Sequence, residues 1–244
     1  AWYGASNIVV SVAGNTTHEE VVRLVAKHFQ NGRSGSVPSV LGLNGGIPAR
    51  RVISDSREIT QANIAIGIPA VSRKDPDRYP LMILNSLLGR GMSSRLFKEV
   101  RERRGLAYSV GSSVSRHSDT GMLGISAGVS PENVSETVRV IFEELEKLVQ
   151  ERVGEDELTK ARDYTVGSFR LGLESPMSLG QRAGESLLML GEIEPIESVV
   201  LKLRAVTADD LMRVAQRLLK RERAALALVG PNIDEGPLLE VLQG

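Results

Sequence analysis

The apolar positions fall into two rhythms, one repeating every second residue and one every third or fourth, separated by stretches rich in Gly, Pro, Ser and Asn. Ile8-Val9-Val10-Ser11-Val12 is a short β-branched run closed by Gly14-Asn15, and Thr16-Thr17-His18-Glu19-Glu20 leads into Val21, Val22, Leu24, Val25 and Phe29. That spacing predicts a strand, a turn and a capped helix. Asn31 to Pro48 offers little to bury and carries Gly at 32, 35, 42, 45 and 46, the composition of a solvated linker.

Beyond it, Arg51-Val52-Ile53-Ser54 and Gln61 to Ile68 alternate with period two before Pro69, predicting two strands. Asp75-Pro76-Asp77 opens a predicted helix through Leu81, Met82, Leu84, Asn85, Leu87 and Leu88 that ends at Gly89-Arg90-Gly91. Ser93-Ser94 reads as the cap of a second helix through Leu96, Phe97 and Val100. Ala107 to Ser115 and Met122 to Val129, joined by Asp119-Thr120-Gly121, read as an antiparallel hairpin. Long amphipathic helices are predicted from Pro131 through Leu148 and from Gly154 through Phe169. Shorter ones run from Ser178 to Leu190, Ile196 to Leu203 and Ala208 to Leu219, before a closing strand from Ala224 to Val229. The fold class expected is α+β, an antiparallel sheet with helices packed on it. Val10-Ser11-Val12-Ala13-Gly14-Asn15 parallels Leu226-Ala227-Leu228-Val229-Gly230-Pro231, each followed by an acidic turn and an apolar helix. With a linker between them, the two module ends favour an internal duplication over a coincidental strand-Gly-helix repeat.

Composition narrows the function classes. With 41% hydrophobic and 25% charged residues in 244, the chain has enough apolar material for one large domain or two smaller ones. Thirty Lys+Arg balance thirty Asp+Glu, so affinity built on neutralising phosphates or anionic lipid is not expected, and neither is a nucleic-acid partner. There is no Cys, hence no disulfide, thiolate metal site or cysteine nucleophile. No apolar run approaches the roughly 20 residues of a membrane helix, and Ala1-Trp2-Tyr3-Gly4 is neither a signal peptide nor a Met start. A piece of a longer, soluble polypeptide is expected; of the compartments the cytoplasm is favoured, although nothing in the sequence fixes it.

His18, His28 and His117 are the only histidines, and none sits in H-E-x-x-H or H-x-x-E-H. His18 and His28, ten positions apart on one predicted helix, are about 15 Å apart along its axis, too far to share a zinc. No metal ligands are assigned, and His18-Glu19-Glu20 reads as a helix first turn. No Ser lies in G-x-S-x-G, which leaves spatial triads open. Gly89-Arg90-Gly91-Met92-Ser93 follows a helix rather than a strand and reads as a helix joint, not a phosphate loop. Lys98 to Arg104 includes Glu99 and Glu102 and no interleaved aromatics, the pattern of a solvated helix face.

Ser93-Ser94-Arg95-Leu96-Phe97-Lys98-Glu99-Val100-Arg101-Glu102-Arg103-Arg104-Gly105-Leu106-Ala107-Tyr108-Ser109-Val110 resembles the pitrilysin/insulinase family of inverted zinc metallopeptidases, in its processing-peptidase-like branch. Asp75-Pro76-Asp77-Arg78-Tyr79, Ser118-Asp119-Thr120-Gly121 and Val206-Thr207-Ala208-Asp209-Asp210 extend the resemblance over most of the chain, while Gly89-Arg90-Gly91 departs from the commoner all-glycine form. The resemblance implies one clamshell half of a duplicated metallopeptidase architecture. Residues 1–30 are then the end of the first, catalytic half, residues 31–48 the linker, and residues 49–244 the second, non-zinc domain.

It further implies that zinc and its H-x-x-E-H lie on the missing half, upstream or on a partner chain. This chain alone would bind no cofactor and hydrolyse nothing. Arg101 and Tyr108 match the Arg and Tyr that the family's second half brings to the active-site cleft. They are expected to bind a peptide substrate and stabilise its tetrahedral intermediate. The alternatives are that Arg101 pairs with Glu99, Glu102 or solvent and Tyr108 is a half-buried strand residue, or that the chain is a catalytically inactive assembly subunit of the same family. A half-enzyme exposing its partner face could also form a homo-oligomer.

Overall fold

The structure, a computed structural model, describes residues 3–29, 35, 42–43, 51–231 and 233–243, so most of the expected linker lies outside the described residues. Among them the strands are β1 (Val52–Ser56), β2 (Ala62–Ala70), β3 (Ala107–Arg116), β4 (Gly121–Val129) and β5 (Ala225–Gly230). The α-helices are α1 (His18–His28), α2 (Arg78–Gly89), α3 (Val134–Gln150), α4 (Glu155–Leu171), α5 (Pro176–Leu190), α6 (Ile196–Arg204), α7 (Ala208–Leu218) and α8 (Gly236–Gln243). The α+β expectation holds. The chain divides into two compact units, residues 44–166 with 200–244 and residues 1–43 with 167–199.

The larger unit contains the sheet, in the order β1-β5-β2-β4-β3. All neighbours are antiparallel except β1 and β5, which run parallel. Period-two alternation places Ala62, Ile64, Ile66 and Ile68 of β2 beside Leu123, Ile125, Ala127 and Val129 of β4 on one buried face. Each buried Ile, Leu or Val among them contributes roughly 1.5–3 kcal/mol relative to exposure. α2 packs on β3 and α7, α7 on β2 and α3, and α8 on α3. The last strand enters between β1 and β2, so the first and last strands of this unit are paired directly. A capping box starts α7: the Thr207 hydroxyl accepts from the Asp210 N–H at 3.1 Å, and the Asp210 carboxylate accepts from the Thr207 N–H at 3.0 Å.

The smaller unit contains α1, the end of α4, α5 and the start of α6. Thr17 caps α1 as expected, accepting from the Glu20 N–H at 3.2 Å. Ile8 to Val12, expected as a strand, has no ladder partner among the described residues. Ile8 is extended (φ −123°, ψ 130°), but β-branched propensity makes a strand only where another strand supplies its hydrogen bonds. Ser11 and Ala13 instead lie against Gly180 and Gly184 of α5, where a glycine Cβ would come within 3.1 Å of the Ser11 Cβ.

Candidate active site at the hairpin entry

The segment from Gly91 to Tyr108 is fixed at both ends. Gly91 (φ +81°) turns the chain out of α2, and the Ser94 hydroxyl donates to the Gly91 carbonyl at 2.8 Å. Ser94 therefore closes the turn rather than capping the next helix, correcting the sequence expectation. Arg95 makes a bidentate pair with Glu157 of α4, at 2.9 and 2.8 Å. Burial pulls the Arg95 guanidinium down, but the Glu157 hydrogen bonds and charge, helped by Glu144 and Glu151, hold it above its ordinary value.

Leu96 and Val100 are fully buried and pin the inner face of the next helix. That helix is not the α-helix the sequence suggests: Phe97–Arg103 is π-helical, with i→i+5 bonding. It stops at Gly105 (φ +64°), beyond which the Leu106 N–H donates to the Val100 carbonyl at 2.9 Å, a glycine-dependent helix stop. β3 then begins with an irregularity: Ala107 pairs with Val129 and Ser109 with the adjacent Gly128, leaving Tyr108 as the extra residue of a bulge. Ala107 stays in the core while Tyr108 is 75% exposed.

These two devices bring Arg101 and Tyr108 together. The Arg101 guanidinium carbon lies 5.6 Å from the Tyr108 ring centroid and 5.0 Å from that of Phe97, so the cation sits between two rings. Glu99 is taken by Arg103 at 2.5 Å, and Arg104 by Glu136 at 3.2 Å. Among the described residues no carboxylate pairs with Arg101, and the Tyr108 hydroxyl has no hydrogen-bond partner. The arrangement is chemically a guanidinium fork and a phenol O–H, both donors, offered to one region of solvent. Phe97, read from sequence only as an apolar position of the predicted helix, is the member missed. Its four-residue spacing from Arg101 was a usable signal; the bulge at Tyr108 had none.

No group of three His, Asp or Glu side chains among the described residues is arranged to hold a metal. His18 and His28 occupy opposite ends of α1, and His117 sits in the β3–β4 turn, where its backbone N–H donates to the Thr120 carbonyl at 2.8 Å. The donor set therefore does not fit zinc.

A bulged, glycine-entered hairpin beside a basic π-helical turn thus lies at the β3 edge of a five-stranded sheet in an α+β fold. A family model described as "Peptidase M16 inactive domain" matches residues 1–164, and the chain belongs to the M16, or pitrilysin, family, as a C-terminal half. An "Uncharacterized zinc protease" of Streptomyces coelicolor is 36% identical over 239 residues, 96% of this chain and 52% of that protein. One of Bacillus subtilis is 32% identical over 231 residues, 95% of this chain and 56% of that protein. The chain thus spans about half the length of the curated relatives it matches. A crystal structure of a peptidase M16 inactive domain from Pseudomonas fluorescens superposes with a TM-score of 0.81 at 18% identity, covering 90% of this chain and 52% of that one. A chain of complex III2 from Candida albicans gives 0.80 at 16% identity, covering 94% and 57%. No described helix is long and apolar enough to cross a membrane.

Proposed function

We propose that this chain is the substrate-binding, non-zinc half of a zinc metalloendopeptidase, and that Arg101 and Tyr108 hold the scissile carbonyl of a peptide as its oxygen gains negative charge. The observation that supports this reading is the convergence of an unpaired guanidinium and an unpaired phenol at one exposed point. Zinc and its activated water are assigned to the catalytic half, on the same polypeptide or a partner chain. Arg101 contributes a fixed cation and N–H donors, Tyr108 an O–H donor, and both interactions strengthen as the carbonyl becomes an oxyanion. The Phe97 ring sets the guanidinium before substrate arrives, so little reorganisation is needed at the moment of reaction.

The test uses the enzyme completed with its catalytic half. Arg101→Ala and Tyr108→Phe are each expected to lower kcat on the order of 10²-fold with a smaller change in KM. Phe97→Leu, which removes the ring but keeps an apolar side chain, is expected to lower kcat less. Zinc content and melting temperature should hold in all three. Near-normal kcat in the Arg101 and Tyr108 variants, with intact folding, removes the assignment and favours the inactive assembly subunit.

A further inference from the structure

Between the C-terminal end of α2 and β3 lies a cavity of about 390 Å³. Arg90 and Arg116 line it, and no lining residue is a carboxylate. Arg116 has a single hydrogen-bond acceptor among the described residues, the Arg78 carbonyl at 3.4 Å. Burial, then the neighbouring Arg78 and Arg73 guanidinium groups, hold Arg116 below the usual arginine range, as expected of a cation placed where an anion is lacking. The Arg90 guanidinium has no partner among the described residues.

A neutral donor completes the set. Asn85 is 5% exposed, and its Oδ1 accepts from the Ser112 hydroxyl at 2.8 Å. Its amide Nδ2 has no acceptor among the described residues, and Asn85 lines the cavity. The walls are held close, since a Cβ on Gly89 would lie 2.4 Å from the Ser112 backbone nitrogen. Met82 and Val114 add apolar surface.

We propose that this cavity is a binding site for a small phosphate monoester. Two guanidinium groups match a dianion, and arginine forks fit phosphate oxygens. Donors from Arg90, Arg116 and Asn85 belong to two different elements, an arrangement suited to a tetrahedral oxyanion more than to a two-oxygen carboxylate. Ligand sites run from about 300 to 1,000 Å³, so this one takes a small ester, with its carbon substituent against Met82 and Val114. The anion is bound by side chains; the Gly89-Arg90-Gly91 backbone remains a helix joint. Neither Arg101 nor Tyr108 belongs to the cavity, so the proposal stands or falls apart from the peptidase reading.

The experiment titrates the 244-residue chain at low ionic strength with inorganic phosphate and with glycerol 2-phosphate, using acetate as a carboxylate control. Binding is followed by calorimetry and by melting temperature. The expected result is saturable binding, tighter for the ester than for phosphate, with a melting temperature that climbs with ligand concentration. Arg116→Gln and Arg90→Gln should each weaken binding at least tenfold. Without ligand, Arg116→Gln should melt no lower than the parent, because it removes a cation crowded by two others. Arg90 is exposed, so its variant keeps the test decisive even if the Arg116 variant misfolds. No saturable binding at millimolar ester, or wild-type affinity in the Arg90 variant, overturns the site; acetate binding as tightly as the ester overturns the phosphate assignment.

Discussion

Gly89 and Gly105 show how one substitution meets two different costs. At Gly89 the obstacle is space, because an added Cβ would overlap the backbone of Ser112 and force α2 away from β3. At Gly105 nothing lies within 4 Å of the added carbon, and the obstacle is the backbone itself, held at φ +64°. Gly105→Ala should therefore cost about 1 kcal/mol and Gly89→Ala roughly 2–3 kcal/mol, measured by denaturant unfolding. Equal costs would mean that the close approach at Ser112 relaxes freely. Gly89 was legible in the sequence as part of a helix end, and Arg101 and Tyr108 were legible through the motif around them. What brings that pair together was not: a π-helical turn and a bulge depend on how Val100 and Ala107 seat in the core, which no local spacing encodes.

At the scale of elements, the same gap between local and tertiary roles recurs before α2. Asp75-Pro76-Asp77 was read as a helix opening, and α2 does begin at Arg78, yet the Asp77 side chain makes no capping hydrogen bond. It accepts instead from Arg213 at 2.7 Å and Arg217 at 2.5 Å, both on α7, while Asp75 accepts from Arg217 at 2.8 Å. Two stretches of the family motif, far apart in sequence, thus meet through arginines outside either. Burial pushes Asp75 up, but the hydrogen bond from Arg217, that from the Asp77 N–H, and the charges of Arg217 and Arg213 hold it below the ordinary carboxylate value. A carboxyl lowered in the folded state contributes stability above its unfolded pKa, near 4, and loses it as pH falls through the lower folded value. Asp75→Asn should cost about 1 kcal/mol at pH 7, since Arg217 is half exposed, and the gap to the parent should close in acid. Urea unfolding at pH 7 and near pH 3 tests this; a gap that persists undiminished in acid would assign the loss to packing.

For the whole molecule, the two compact units differ in what they bury. β2, β4, α2, α3 and α7 of the larger unit carry most of the buried aliphatic side chains, whereas neither α1 nor α5 of the smaller unit has a single buried residue. Leu171, Met177, Leu188 and Ile193 remain at least half exposed in that unit. The parallel between the Val10 and Leu226 modules was readable from sequence, but among the described residues only the second has its ladder, with β5 paired on both sides. Local opening free energies range from about zero at weakly packed segments to the global value in a core. Amides of α1 and α5 should therefore exchange with deuterium on the order of a hundredfold or more faster than those of β2 and β4, under conditions where the chain stays folded. The difference should shrink if the catalytic half, supplied in trans, covers the exposed row of Ile8, Val10 and Val12 with a strand ladder of its own. Uniform protection across α1, α5, β2 and β4 in the chain by itself would show that burial in the two units does not set their stability separately.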